Sequence, residues 1–309
     1  MKKRFLSLAL VLSFVLTLVP TAAFAADGDI INFPDPNFKK AVLAEMGKKP
    51  TDDITKAEAA KVTYLDVSEQ NITDLSGIEY FTALTELDCS YNQLSALDVS
   101  KNTSLEYLDC NYTQLTSLDV SMNIVLVALD CAGNQLTTLD VNKNPALKWL
   151  SCAYNRLTAL DVSKNTALQC LFCNSDQLAK LDVSRNIELI WLDCNYNQLT
   201  ALDVSKNAVL EYLYCYNNQL TALNVSNNSA LQWLSCWGNQ LTSLDLSNNT
   251  ALKRLDCSYN YFRSRDDIIG LDESRTDMTF DQSRVGVDYV ITNAVMKILS
   301  LFLPQTAPM

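Results

Sequence analysis

Three side-chain chemistries recur at fixed intervals along this chain of 309 residues: carboxylates, aromatic rings and thiols. Asp66, Asp88, Asp109 and Asp130 follow one another at near-constant intervals, with Glu86 and Glu106 beside them. Carboxylates so arranged can hold calcium or a basic surface, and in pairs they can do acid–base work. All four tryptophans, Trp149, Trp191, Trp233 and Trp237, fall between residues 149 and 237 with Tyr212, Tyr214 and Tyr216, while Tyr107 lies earlier. Exposed rings of this kind anchor binding partners. Nine of the ten cysteines recur at a constant interval from Cys89 and Cys110 through to Cys257. Histidine is absent, which removes the commonest general base and metal ligand. The carboxylate pairs are multiplied by a repeat and so carry little information about catalysis. No catalytic residue and no cofactor is therefore expected.

The element that must position these side chains is the repeat itself. The stretch from Leu84 to Ser104 reads LTELDCSYNQLSALDVSKNTS, and the leading leucine returns at Leu105, Leu126, Leu147, Leu168, Leu189, Leu210, Leu231 and Leu252. A period of this length written L-x-x-L-x-C-x-x-N-x-L is a leucine-rich repeat. The fold class is then a repeat solenoid, a curved right-handed superhelix with a parallel concave β-sheet. Burial of the aliphatic side chains of one repeat falls well short of the cost of ordering its backbone, so turns are stable only when stacked.

Alternation along the strand sends the repeating leucine and cysteine inward. The cysteines are expected as buried free thiols, with zinc or disulfides as the alternative. The residues between them face the concave surface. There they form an aromatic zone (Tyr107, Trp149, Trp191, Tyr212, Tyr214, Tyr216, Trp233, Trp237) and an acidic zone (Asp66, Asp88, Asp109, Asp130, Glu86, Glu106). The tryptophans are predicted to face water as a binding patch, although stacking between strands would also account for them. Like charges side by side repel, and calcium at Asp88, Asp109 and Asp130, or a basic partner, would relieve that; a solvated face is the alternative. Cys170 is out of register and should be exposed between the Trp149 and Trp191 rows. Asn92, Asn134, Asn155, Asn197, Asn218, Asn239 and Asn260 should turn inward and bond the next turn's backbone. Thr113 and Asp176 replace that asparagine, which predicts weaker joints. The Asp98, Asp119, Asp140, Asp161, Asp182, Asp203 and Asp245 series should bond locally in turns.

Residues 1–25 have a basic start, an apolar run and a small-residue cleavage site, the pattern of a secretory signal peptide. With it go Lys2, Lys3 and Arg4, so a chain of net charge −11 becomes more acidic still, which disfavours nucleic acid. Residues 26–61 read as a helical N-terminal cap, with Phe38, Val42, Leu43 and Met46 on one helical face and Thr51-Asp52-Asp53 capping a second helix. Repeats occupy 62–251, beginning with a slightly longer one from Val62 to Ala83 and continuing with eight of uniform length. A degenerate last repeat and C-terminal cap follow over 252–284, with Ile268, Ile269, Leu271, Met278 and Phe280 covering the core. An apolar tail with helical spacing occupies 285–309. Asp288 and Lys297 interrupt it, so a packed helix rather than a membrane anchor is expected.

The cap and the first repeat, with its NITDLSGIEYF turn, resemble the internalin family of bacterial surface proteins, and the later, shorter repeats resemble a bacterial secreted subclass. That resemblance implies a secreted or extracellular surface protein that adheres to proteins of a host or neighbouring cell. The concave face is thus expected to bind a protein partner. A carbohydrate-binding module using the Trp/Tyr stripe and a structural envelope scaffold are the alternatives.

Overall fold

A computed structural model describes residues 29–272, 274 and 276–279. The signal segment, Phe280 and the 285–309 tail lie outside the described residues. Helix α1 (Pro36–Glu45) buries Phe38, Ala41, Val42 and Leu43 against the first turn. Asp35 both starts this helix and ties it to the repeats. Its Oδ1 accepts from the Asn37 and Phe38 amides at 2.8 and 3.1 Å, and its Oδ2 from the Thr73 amide at 2.7 Å. Helix α2 (Lys56–Ala59) is capped by Thr55 in a reciprocal box with Glu58, and not by Thr51-Asp52-Asp53 as expected. The reason is spacing: only Thr55 has a glutamate at the third position after it to return the bond.

From there each turn contributes one strand to a parallel sheet: β1 (Tyr64–Asp66), β2 (Glu86–Asp88), β3 (Tyr107–Asp109), β4 (Ala128–Asp130), β5 (Trp149–Ser151), β6 (Cys170–Phe172), β7 (Trp191–Asp193), β8 (Tyr212–Tyr214) and β9 (Trp233–Ser235). After β10 (Leu244–Asp245), β11 (Arg254–Asp256) and β12 (Ile268–Ile269), strand β13 (Asp277–Thr279) closes the described part of the sheet. The order is sequential, with β10 and β12 pairing separately on another side of the coil. Register is strict, Leu65 lying beside Leu87 and Leu87 beside Leu108. Ile268 is buried and Leu271 and Met278 pack on the core, but Ile269 is half exposed, because pairing with β10 turns alternate residues outward.

The interior is one continuous apolar column in which the leucines, Val99-type residues and nine cysteines have almost no exposed surface. Every cysteine, Cys170 included, is a free thiol. Two asparagine ladders hold the turns together. In the first, Asn134 Nδ2 donates to the carbonyls of Cys110 and Cys131 at 2.9 and 3.1 Å while its Oδ1 accepts from the Leu115 amide at 2.8 Å. These partners belong to its own and the preceding turn, not the next one. Strand amides donate forward, as Cys89 N does to Asp109 O at 2.8 Å, so the groups left at each bend face the asparagine that follows.

The second ladder was not expected. Asn102, Asn123, Asn144, Asn165, Asn186, Asn207, Asn228 and Asn249 are buried, and Asn165 Nδ2 reaches the carbonyls of Val141 and Asn144, both at 2.9 Å. At the substituted joints, Thr113 bonds the Cys110 carbonyl, and Asp176 Oδ1 accepts from the Leu157 amide while Oδ2 is buried without a partner. Burial pushes the Asp176 carboxyl up to about 7.

Candidate interaction surface

Such short strands leave two outward side chains per turn, and strict register arranges these in columns across the sheet. Column one runs Tyr107, Ala128, Trp149, Cys170, Trp191, Tyr212, Trp233 and Arg254; column two runs Asp66, Asp88, Asp109, Asp130, Ser151, Phe172, Asp193 and Tyr214. The predicted aromatic residues are therefore brought together on the sheet's outer face. They are not all turned to water, however. Trp149, Trp191 and Tyr214 are only 4, 2 and 2% exposed, and Cys170 is 1% exposed where an open thiol was expected.

The cause is mutual cover. Phe172 wedges between the tryptophans, 4.7 Å from Trp149 and 5.5 Å from Trp191, and Tyr212 stacks on Trp191 at 4.8 Å. The small Cys170 side chain is enclosed in the same cluster, and burial pushes its thiol up to about 12. What results is a second apolar cluster, outside the solenoid core, with Tyr107, Tyr212, Tyr216 and Trp233 half-buried at its margin. Trp237 stacks on Tyr216 at 4.9 Å, and the Arg254 guanidinium lies 4.6 Å above the Trp233 ring. Sequence reasoning passed over Phe172 and Ala128. Their place in the columns was the signal, since both stand opposite tryptophan rows.

Each carboxylate of the acidic column has a local task. Asp66, Asp88, Asp109 and Asp130 accept from the backbone amide two positions on, at 3.0, 2.9, 3.0 and 3.0 Å, and so bend the chain out of the strand. None takes part in an ion pair among the described residues, where the ion pairs are Lys39–Asp53, Lys48–Glu58 and Arg263–Asp267. Burial raises the carboxyls of Glu86 and Asp88, with like charges adding to it, and Ser90 bonds partly offset this at Asp88. Asp109 and Asp130 are raised by burial, Asp109 also by Asp130 beside it. Glu106 remains exposed at the edge. Asp193 was missed: it is buried between Phe172 and Tyr214, and burial pushes it up to about 7. Among the described residues no three His, Cys, Asp or Glu side chains are arranged to hold a metal ion, so the calcium alternative at Asp88, Asp109 and Asp130 finds no support.

Beyond the sheet, the Asp98-type series bonds in turns as expected, each accepting at 2.9 Å from the amide two positions on.

No protein-family model matches the chain. Internalin J of Listeria monocytogenes is 44% identical over 71 residues, which is 23% of this chain and 8% of that protein. The solved functional domain of Internalin J, which includes a cysteine ladder, superposes with a TM-score of 0.75 at 43% identity over 79% of this chain and 53% of that domain. A leucine-rich repeat protein of Leptospira interrogans shares the fold at 23% identity and a TM-score of 0.57, over 65% of this chain and 62% of its own. The chain thus spans about half of the solved domain and a small part of the full-length relative. Among the described residues no helix is long and apolar enough to cross a membrane.

Proposed function

We propose that this internalin-like leucine-rich repeat protein is a secreted or cell-surface recognition protein that holds a protein partner on the outer face of its long parallel sheet. One observation carries the reading: that face bears a continuous aromatic cluster beside a column of half-buried carboxylates without ion-pair partners, a combination that the stacking of turns does not require. Half-open rings beside carboxylates without ion-pair partners among the described residues suit an interface whose centre is apolar and whose rim is polar. A glycan on the same face is disfavoured because its two central tryptophans, Trp149 and Trp191, are covered by Phe172 and Tyr212. The reading is non-catalytic, in keeping with carboxylates occupied by turn bonds and a chain without histidine.

The test is capture of envelope and host-surface proteins by the mature chain, repeated with Trp233→Ala and with Asp88→Asn/Asp109→Asn. A genuine partner should lose affinity by at least about tenfold with Trp233→Ala, the effect of truncating an anchor residue. Equal binding by both variants would sink the assignment to this face.

A further inference from the structure

The carboxylates on the sheet's outer face carry charge where the fold needs only an acceptor. Asp66, Asp88, Asp109 and Asp130 each make the turn bond through one oxygen. An uncharged amide makes the same bond, since Asn224, on the turn side, accepts from the Ser226 amide at 3.0 Å. Ser151, Phe172, Tyr214 and Ser235 stand in the same column as Asp88, so the turn also forms without a carboxylate. Register sets the four aspartates side by side in successive strands, roughly 4.8 Å apart, where like charges repel. Nothing in these strands offsets them, because β1 to β9 contain no lysine or arginine. Charge kept against repulsion, and beyond what the turn requires, points to a cationic partner.

A ring stands among these carboxylates. Tyr107 lies between Glu86 and Ala128 in column one, two positions along its strand from Asp109, and is half-buried at the margin of the aromatic cluster. Burial first, then the charges of Glu106 and Glu86, raise its phenol, so carboxylates are within electrostatic reach of the ring. Farther along the same face the chain shows which cation suits such a ring, for the Arg254 guanidinium rests 4.6 Å above Trp233. Acceptors are in surplus there too. Asn195 is 3% exposed, and its Nδ2 donates to Asp193 Oδ1 while its own Oδ1 has no hydrogen-bond partner among the described residues. A buried acceptor left beside a carboxylate is costly until a donor reaches it.

We propose, building on the protein-binding reading of the sheet's outer face, that the partner presents an arginine-rich segment, its guanidinium groups bonded to Asp88, Asp109 and Asp130 and one of them laid on the Tyr107 ring. A guanidinium is planar, donates in pairs to carboxylates and stacks on aromatic faces, whereas the ammonium of lysine is a strongly hydrated point charge. Arginine therefore answers both the carboxylates and the ring. Lysine answers only the carboxylates.

Labelled peptides of one length, in which serine alternates with arginine, lysine or the neutral isostere citrulline, are to be titrated with the mature chain by fluorescence anisotropy at physiological salt. The arginine peptide should bind several-fold more tightly than the lysine peptide, and the citrulline peptide should not bind. Asp88→Asn/Asp109→Asn, which keeps both turn bonds, should weaken the arginine peptide by about tenfold or more while the melting temperature holds or rises. Asp140→Asn/Asp161→Asn removes the same charge from turns off the sheet face and should leave binding unchanged. Tyr107→Leu should erase the preference for arginine over lysine. Equal binding of the two cationic peptides, equal losses from the sheet-face and turn-side variants, or no binding of the arginine peptide would overturn the proposal. Each of these results leaves standing a protein partner whose capture depends on Trp233, so the two readings fail separately.

Discussion

Removing the Trp191 side chain takes away a ring packed against Phe172, Tyr212 and Tyr214. A hole that size does not refill, so Trp191→Ala should destabilise the fold by about 3–5 kcal/mol in urea denaturation. Trp233→Ala, from a half-buried site at the cluster margin, should lose distinctly less. Similar losses for the two would mean that the cluster is not centred on Trp191. The side of the sheet on which each tryptophan lies was legible from the sequence, because alternation is a property of the strand alone. Exposure was not legible in the same way: it depends on Phe172 and Tyr214 in neighbouring rows, whose rings close over Trp191 only when the turns are stacked. Asp193 escaped notice for the same reason, since nothing in its own repeat marks it as enclosed.

Elements show the same division between what a repeat dictates and what its neighbours decide. The cysteine column was legible because the thiol recurs at the inward position once in every repeat, and burial raises Cys89, Cys110, Cys131 and Cys152 well above the ordinary thiol range. A thiol reagent at mildly alkaline pH should therefore label no cysteine of the native protein, Cys170 included, and all of them once denaturant is added. Fast labelling of Cys170 alone would show that the outer cluster opens in solution. The second asparagine ladder was less legible. Asn165 lies in a polar Ser-Lys-Asn triplet that reads as a solvated turn, and only the closed coil shows it turned inward onto two carbonyls. At the caps, Thr55 was distinguishable from Thr51 by the glutamate at the third position after it, whereas the outward side of Ile269 depends on its pairing beside β10.

Across the whole molecule, stability should depend on pH in a sense opposite to that of most acidic proteins. Asp176 and Asp193, both pushed up to about 7 by burial, bind a proton more tightly folded than unfolded. Their contribution is fully present below the ordinary carboxylate range near 4 and is lost as pH rises to about 7, with Asp109 and Asp130 extending the loss in the same direction. Glu58 works the other way: the Lys48 bond holds it down at about 2, so its contribution fades in strong acid. The melting temperature should peak in mild acid, and Asp176→Asn should flatten the decline towards neutral pH by supplying the missing donor. A melting temperature that rises steadily from pH 5 to 8 would contradict the burial of these carboxyls. The ladders have a different kind of consequence. Asn144, Asn165 and Asn186 each donate to one carbonyl a full turn back and to a second slightly further back, so excising one in-phase unit rejoins every bond to an equivalent partner. A gene encoding such a coil can recombine unequally with itself and still yield a folded product, which makes turn number, and with it the reach of the surface, a trait that heredity can alter in a single event.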